Sequence, residues 1–139
     1  MPTITESAHA FFDACETGKG WDACAPYCAT DATFSAQSEP LAKVETVEHY
    51  CNWMKGLFGP MPDARYELKS FATDAARNNV AAFATFHGTH TGDGGPVPAT
   101  GKSTATDYVY VMQFDDAAKI SHVTKIWHSG LALKELGWG

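Results

Sequence analysis

A lysine near the carboxyl end of the chain is the residue whose surroundings point most directly to chemistry. Lys125 stands between Val123 and Trp127 in a stretch that alternates like a β-strand, which places the three side chains on one face. If that face is interior, burial beside aromatic rings would lower the pKa of the amine and make it a base, a Schiff-base nucleophile or an anion anchor. The alternative is a lysine on the outer face, or one whose ammonium group reaches water past its apolar stem.

A histidine and two tyrosines could complete such a site. His90 falls in a loop, where it either acts as an acid or base near neutral pH or bonds nearby backbone. Tyr108 and Tyr110 share one face of a predicted strand, where they are either core aromatics or pocket-lining residues. On the helix predicted over residues 44–58, Trp53, Met54 and Phe58 are either core residues or part of a pocket wall.

The elements that must position these residues surround a central hairpin. Residues 80–87 and 103–114 are rich in β-branched and aromatic residues and lack glycine and proline, which predicts two strands. Residues 88–102 contain several glycines and prolines, so they predict a long connection and not a tight turn. A loop of this length inside a compact domain is more often functional than idle.

The remaining chain supplies helices before the hairpin and one strand after it. Helices are predicted over residues 5–17, 21–29 and 44–58, strands over 31–35, 64–72 and 121–127, a loop over 38–42, and a short helical segment over 131–136. This order predicts an α+β fold, with the helices gathered on one face of a mixed, mostly antiparallel sheet.

Composition excludes several classes of protein. The chain has 139 residues, of which 45% are hydrophobic and 19% charged, as expected for one globular domain spanning residues 1–139. The net charge is −6 and the 10 Lys and Arg residues form no run, so nucleic acid is a poor partner. No apolar run approaches the ~18 residues that span a bilayer. The start lacks the pattern of a secretory signal, and a cytoplasmic location is therefore expected.

The four cysteines all lie in the first half of the chain. Cys24 and Cys28 would share one face of the predicted helix over residues 21–29, whereas Cys15 and Cys51 lie on other elements. A zinc site would need about four convergent ligands, and neither a Cys-x-x-Cys nor a paired histidine motif accompanies them. We interpret all four as buried, reduced thiols that act as small apolar residues, and we predict no metal site.

Three stretches resemble a known family. They are Phe58-Gly-Pro-Met-Pro-Asp-Ala-Arg65, the segment Gly88-Thr-His-Thr-Gly92 followed by Pro98-Ala-Thr-Gly-Lys102, and the strand-turn-strand ending at Lys119-Ile120. They are similar to the SnoaL-like polyketide cyclases, often labelled ester cyclases, of the nuclear transport factor 2-like, ketosteroid isomerase-type superfamily. The resemblance implies a cone-shaped, strongly curved mixed sheet wrapped around three N-terminal helices, with an apolar pocket at the wide end. It also implies intramolecular aldol chemistry by an acid–base pair, without a metal or organic cofactor.

The chain departs from this family at the position of the catalytic acid. The last strand of family members usually reads Glu-His-Trp-Asp, and aligned from Lys119-Ile120 those positions hold His122, Val123, Thr124 and Lys125. A second family acid corresponds to His128, and a histidine partner falls near Tyr110. An amine in place of an acid reverses the charge preference of the site, so the resemblance implies a small apolar or anionic ligand or a carbonyl compound.

Two functions therefore remain open from the sequence. The first is a cyclase or isomerase acting on an apolar carbonyl compound, with Lys125, His90 and Tyr110 as altered catalytic residues. Its substrate would contact the aromatic and methionine side chains Trp53, Met54, Phe58, Tyr108 and Trp127. The second is a non-catalytic ligand-binding or dimerisation module that has lost the family's acids. A homodimer is expected in either case, because Val109, Val111 and Ile126 would place apolar surface on the outer face of the sheet.

Overall fold

The first helix begins at a capping box that the sequence encodes locally. The hydroxyl of Thr3 accepts a hydrogen bond from the backbone N–H of Glu6, while the Glu6 carboxylate accepts one from the backbone N–H of Thr3. This arrangement satisfies backbone donors that the first turn leaves free. Ala8, Phe11 and Phe12 then recur at helical spacing and are completely buried.

The computed structural model describes residues 3–138 and contains helices on one side of a sheet. Its elements in chain order are α1 (Ile4–Glu16), α2 (Trp21–Cys24), β1 (Cys28–Ala36), α3 (Val47–Leu57), β2 (Arg65–Asp74), β3 (Asn79–Thr89), β4 (Ser103–Phe114), β5 (Ile120–Trp127) and α4 (Ser129–Leu136). Short 3₁₀ turns lie at Ala25–Tyr27 and Glu39–Leu41. Among residues 3–138, no helix has the length and apolarity needed to cross a bilayer.

The five strands form one sheet in the order β1-β5-β4-β3-β2. Strands β1 and β5 are parallel, and the other three neighbouring pairs are antiparallel. The sheet is curved and does not close on itself, and the helices fill its inner side. The α+β architecture predicted from the order of elements is therefore confirmed.

Strand register brings the candidate residues together on the inner face. Tyr110 of β4 lies opposite Lys125 of β5, and Tyr108 lies opposite Trp127. On the other side of β4, the same two tyrosines lie opposite small alanines of β3, which leaves room for their rings. The hairpin and the last strand thus place both tyrosines beside the lysine.

Some predicted boundaries are wrong for identifiable reasons. The helix predicted over residues 21–29 ends at Cys24, because Pro26 lies in a 3₁₀ turn and cannot supply a helical N–H. Cys28 consequently begins β1, which is longer than the strand predicted over 31–35, and Cys24 and Cys28 do not share a helix face. Within the loop predicted over residues 38–42, the chain forms the 3₁₀ turn Glu39–Leu41.

Candidate functional site

Lys125 points into the protein from the inner face of β5 and is only 5% exposed. Its Nζ donates a hydrogen bond of 2.8 Å to the hydroxyl of Tyr50 in α3. Five aromatic rings surround the amine, with centroids 4.6 to 5.9 Å away: Tyr50, Trp53, Tyr108, Tyr110 and Trp127. Ring faces attract a cation, so this cage can hold the ammonium form as well as the neutral amine. Of the two positions that the sequence left open, Lys125 occupies the interior one.

A chain of hydrogen bonds links this amine to a buried carboxylate. The Tyr50 hydroxyl bonds to the Tyr110 hydroxyl, which in turn donates to Oε2 of Glu16 at the end of α1. Because the single proton of Tyr110 goes to Glu16, Tyr50 must donate to Tyr110 and Lys125 must donate to Tyr50. Every hydrogen bond therefore runs in one direction, from the amine to the carboxylate.

Burial pushes both ends of this chain toward their neutral forms. Loss of solvation lowers the pKa of Lys125, and the negative charge of Glu16 opposes the change only in part. Loss of solvation likewise raises the pKa of Glu16, against the charge of Lys125 and the hydrogen bond from Tyr110. An amine with a lowered pKa is the form that can accept a proton or attack a carbonyl.

Glu16 is a functional candidate that reasoning from the sequence missed. It is 1% exposed and lies near the end of the helix predicted over residues 5–17. A signal was present, since Glu16 follows Ala8 and Phe12 at intervals of four residues and so belongs to the apolar stripe of α1. A carboxylate on such a stripe requires buried hydrogen-bond partners. Here a chain of hydrogen bonds connects the carboxylate to Lys125.

An apolar cavity of about 420 Å³ lies next to the aromatic cage. Its wall comes from α3, the loop between β3 and β4, the end of β5 and the C-terminal helix, and includes Trp53, Phe86, Pro96, Trp127, Leu133 and Trp138. This volume falls within the usual range for small-molecule sites. Trp53 and Trp127 belong both to the cavity wall and to the cage around the lysine, so the two spaces adjoin.

A narrow throat separates the cavity from the amine. It is a space of about 10 Å³ whose wall includes Trp53, Met54, Phe86, Trp127 and Lys125. Such a space holds about one water molecule. The rings of Trp53 and Trp127 meet edge to face across 6.3 Å, and both side chains are only partly buried. A ligand larger than a water molecule fits this space only if side chains of its wall move.

The ring of Tyr108 lies beside the amine, with its centroid 5.2 Å from Nζ. Its hydroxyl is buried and, among residues 3–138, has no partner that meets hydrogen-bond geometry. The hydroxyl lies close enough to Glu16 to favour the charged form of that carboxyl group, but it makes no hydrogen bond there in this conformation.

Phe58, by contrast, packs against Gly18 at the turn after α1, where an added Cβ would lie 2.4 Å from its ring. Substrate contact by Tyr108 and Phe58 remains a prediction.

His90 is completely buried, but it lies beside the cavity wall and bonds to neighbours other than Lys125. Its Nδ1 accepts a hydrogen bond of 2.8 Å from Nε1 of Trp138 and a longer one of 3.4 Å from the backbone N–H of Thr100. A neutral ring that accepts at Nδ1 carries its proton on Nε2, and among residues 3–138 that nitrogen has no partner. His90 thus ties the long loop to the C-terminal segment, and its predicted catalytic role remains untested.

The four cysteines are buried and free, as expected for reduced thiols in the core. The sequence did not indicate, however, that three of them lie close together. The sulfur atoms of Cys15, Cys24 and Cys51 lie within 4.8 Å of one another, on three different helices. Hydrogen bonds from Cys15 and Cys51 lower the pKa of the Cys24 thiol to about 4, whereas burial raises that of Cys28 to about 12.

The fold and the buried polar chain define a small α+β protein with an apolar pocket beside an aromatic-caged lysine. The sequence model described as the SnoaL-like domain matches residues 8–123, and the chain belongs to this family. The family resemblance drawn from three sequence stretches is therefore confirmed. Among curated proteins, none matches this chain.

Solved structures from several bacteria have the same fold. One is IdmH, a candidate polyketide cyclase from Streptomyces antibioticus, with 17% identity over 98% of this chain and 99% of that one and a TM-score of 0.74. AclR, a candidate hydroxylase from Streptomyces galilaeus, has 19% identity over 98% and 85% of the two chains and a TM-score of 0.76. A protein with a ketosteroid isomerase-like fold from Catenulispora acidiphila, solved in complex with trimethylamine, has 15% identity over 99% and 96% of the two chains and a TM-score of 0.72. At these identities the likeness establishes the fold alone.

Proposed function

We propose that this protein is a cofactor-independent cyclase or isomerase in which Lys125 acts as the base on an apolar carbonyl compound. The observation that carries the proposal is the cage of five aromatic rings around Nζ, two of which, Trp53 and Trp127, also line the apolar cavity. Burial lowers the pKa of this amine and so favours its neutral form, which can accept a proton from carbon. Membership of a family that includes cyclases supports the same class of reaction.

The proposed step is removal of a proton from the carbon next to a carbonyl group. The C–H bond breaks, its proton joins the Lys125 nitrogen, and its electron pair forms an enolate. Attack of the enolate carbon on a second carbonyl of the same molecule closes a ring; the π bond of that carbonyl breaks, and its oxygen takes the proton from Lys125 to become a hydroxyl. Return of the proton to another carbon isomerises the substrate instead. Both outcomes release the proton from Lys125, so the amine is regenerated without an oxidant or reductant.

The surroundings of Lys125 favour the ion that this step creates. The new ammonium group would lie among ring faces, keep its hydrogen bond to Tyr50 and be attracted by the negative charge of Glu16. The developing enolate oxygen would need a donor, and the candidate is Tyr108, whose ring centroid lies 5.2 Å from Nζ and whose hydroxyl has no partner among residues 3–138. Tyr110 would act indirectly, because its hydroxyl joins Tyr50 to Glu16.

Proton exchange on simple ketones tests this function without knowledge of the natural substrate. We would incubate the protein in deuterated water with cyclohexanone, 1-indanone and related apolar ketones and follow loss of the α-proton signal by NMR. The wild type should accelerate exchange, and Lys125→Met should remove at least about 100-fold of that acceleration, as expected for a general base. Lys69→Met is the matched control, because Lys69 is a solvent-exposed lysine on β2.

A non-catalytic ligand-binding protein is the second candidate, and the narrow throat is the observation that favours it. With Trp53 and Trp127 in the positions seen here, a ligand in the cavity would touch apolar walls without reaching the amine. Calorimetric titration separates the two functions. Ketones or apolar anions that bind equally well to the wild type and to Lys125→Met, without proton exchange in either protein, would support the binding protein and contradict the enzyme.

A further inference from the structure

Three thiols converge on the side of α1 that faces α2 and α3. Cys15 lies near the end of α1, Cys24 ends α2, and Cys51 lies in the first half of α3. All three residues are completely buried, and their sulfur atoms lie within 4.8 Å of one another. The thiols are free, and Cys28 is the fourth cysteine outside the group. The proposed carbonyl chemistry uses none of them.

The spacing of these sulfur atoms suits one three-coordinate centre. Bonds to sulfur of roughly 2.3 Å, the length seen in zinc thiolates, place three ligands of one trigonal atom at most about 4 Å apart, and closer around a pyramidal atom, so sulfur atoms within 4.8 Å of one another would have to draw together by roughly 1 Å. A structural zinc ion takes four ligands, but the group found within residues 3–138 contains only three. The site therefore fits a thiophilic centre that is complete with three thiolates.

The net charge of the complex determines which ion suits this buried site. Three thiolates around a monovalent or divalent ion leave a net negative charge, which is costly in a buried site. Glu16, the residue next to Cys15, would add to that repulsion. A trivalent centre with three thiolates is neutral. Arsenic(III) and antimony(III) therefore match the number of ligands and add no net charge to a buried site.

Local packing fixes the three helices relative to one another before any ligand binds. Gly18 and Gly20 have φ angles of +74° and +79°, so the chain turns tightly between α1 and α2. Trp21 then donates its backbone N–H to the side-chain oxygen of Asn52, one residue after Cys51. Because α2 is held against α3 in this way, binding need not assemble the site from distant parts.

We propose that Cys15, Cys24 and Cys51 form a binding site for a trivalent thiophilic centre, with arsenic as the probe. Arsenous acid would exchange its three hydroxyl groups for the three sulfur atoms. Three As–O bonds and three S–H bonds break, three As–S bonds form, and three water molecules leave. No electron is transferred, so the step requires no oxidant or reductant.

Native mass spectrometry of the whole protein with arsenite tests this site, with a phosphine reductant present to keep the thiols reduced. The wild type should gain one arsenic atom and lose three hydrogen atoms. Cys15→Ala, Cys24→Ala and Cys51→Ala should each weaken binding by at least about 100-fold, because each removes a direct ligand. Cys28→Ala is the matched control and should bind like the wild type, since Cys28 is also buried.

X-ray absorption on the wild-type complex provides a readout that does not depend on folding of the variants. Three sulfur neighbours around arsenic would support the site. Absence of stoichiometric binding, two sulfur neighbours, full binding by any of the three single variants, or equal loss in Cys28→Ala would each overturn the proposal.

Discussion

Two of the regions with buried polar side chains differ in how these side chains are connected. Around Lys125, four side chains form one continuous chain from amine to carboxylate through Tyr50 and Tyr110. Around His90, the imidazole accepts hydrogen bonds at Nδ1, while its Nε2 has no partner among residues 3–138. A hydrogen-bond network in which every group has a partner favours one arrangement of its side chains. The hydrogen bond between Trp138 and His90, by contrast, only links two segments of the chain. The first region is therefore suited to holding charge and the second to holding the loop.

Lys125→Asp should have the largest effect, because it places an acid where the family usually has one but leaves Glu16 in place. Two carboxyl groups would then compete for the protons and donors of the same two phenols, and the shorter side chain would leave a gap in the aromatic cage. We expect a loss of stability on the order of 3–5 kcal/mol. Urea unfolding measures it.

Lys125→Met is the control for that experiment, since it keeps the length of the side chain without its charge. Glu16 then loses its positive partner but keeps the hydrogen bond from Tyr110 and can take up a proton, so the loss of stability should stay below about 3 kcal/mol and below that of Lys125→Asp. Equal stability of Lys125→Asp and the wild type would contradict the view that Glu16 and the phenols are matched to an amine.

The lowered pKa of Lys125 predicts how stability depends on pH. In the pH range between its folded pKa and the ordinary value of 10.5, the unfolded chain binds more protons at this residue than the folded protein does. The contribution of Lys125 to stability therefore rises with pH through this range, by up to about 1.4 kcal/mol per pH unit. Burial holds the pKa values of Tyr50 and Tyr110 well above 10, so these phenols do not ionise in the same window.

Comparison of the wild type with Lys125→Met isolates this contribution. The free energy of unfolding should be measured for both proteins in urea at several pH values from 7 to 10, with the same salt concentration throughout. We expect the wild type to gain stability relative to the mutant as the pH rises. A constant difference between them across the range would mean that Lys125 titrates alike in the folded and unfolded states.

His90→Ala tests the region around His90 and should destabilise the protein less than Lys125→Asp does. It removes the acceptor of the Trp138 N–H and leaves that donor partly buried without its partner, which costs about 1–3 kcal/mol. Trp138→Phe removes the same hydrogen bond from the other side. In a double-mutant cycle the two should show a coupling energy of about 1 kcal/mol, while His49→Ala, at an exposed histidine, should change stability by less than about 0.5 kcal/mol. Purely additive losses would show that the contact does not tie the two segments.

Much of the fold could be predicted from the sequence, because its cues are local. The alternation of β4 and β5 put Tyr108, Tyr110 and Lys125 on defined faces, and the structure has those faces. Which face is inner depends on the sheet as a whole, so the position of Lys125 could not be decided from its strand alone. The predicted substrate residues Trp53, Met54 and Trp127 were likewise found near the site, although their function is untested.

The parts that could not be predicted depend on contacts between distant segments. Glu16 lies 94 residues from Tyr110, and only packing of α1 against β4 brings the carboxylate to the phenol. The same holds for the three thiols, which come from three helices. His90 was predicted as a catalytic group because its chemistry is suitable, but its partner Trp138 lies 48 residues away, beyond the reach of any local pattern.

The smallest change in stability is expected at Ile126, the neighbour of Lys125 on the opposite face of β5. Ile126 is 63% exposed, and Val109 lies opposite it on β4 and is partly exposed. We expect this outer face to bury apolar surface between two copies of the chain, at roughly 25 cal/mol for each Å² covered. Ile126→Glu should leave the stability of the monomer within about 0.5 kcal/mol but shift the protein from dimer to monomer. Light scattering at micromolar concentration measures this shift, with Lys69→Glu on the exposed edge strand β2 as the control. A wild-type protein that is already monomeric would contradict the expected dimer. It would not bear on the function proposed for Lys125, which lies next to Ile126 in sequence but on the inner face of β5.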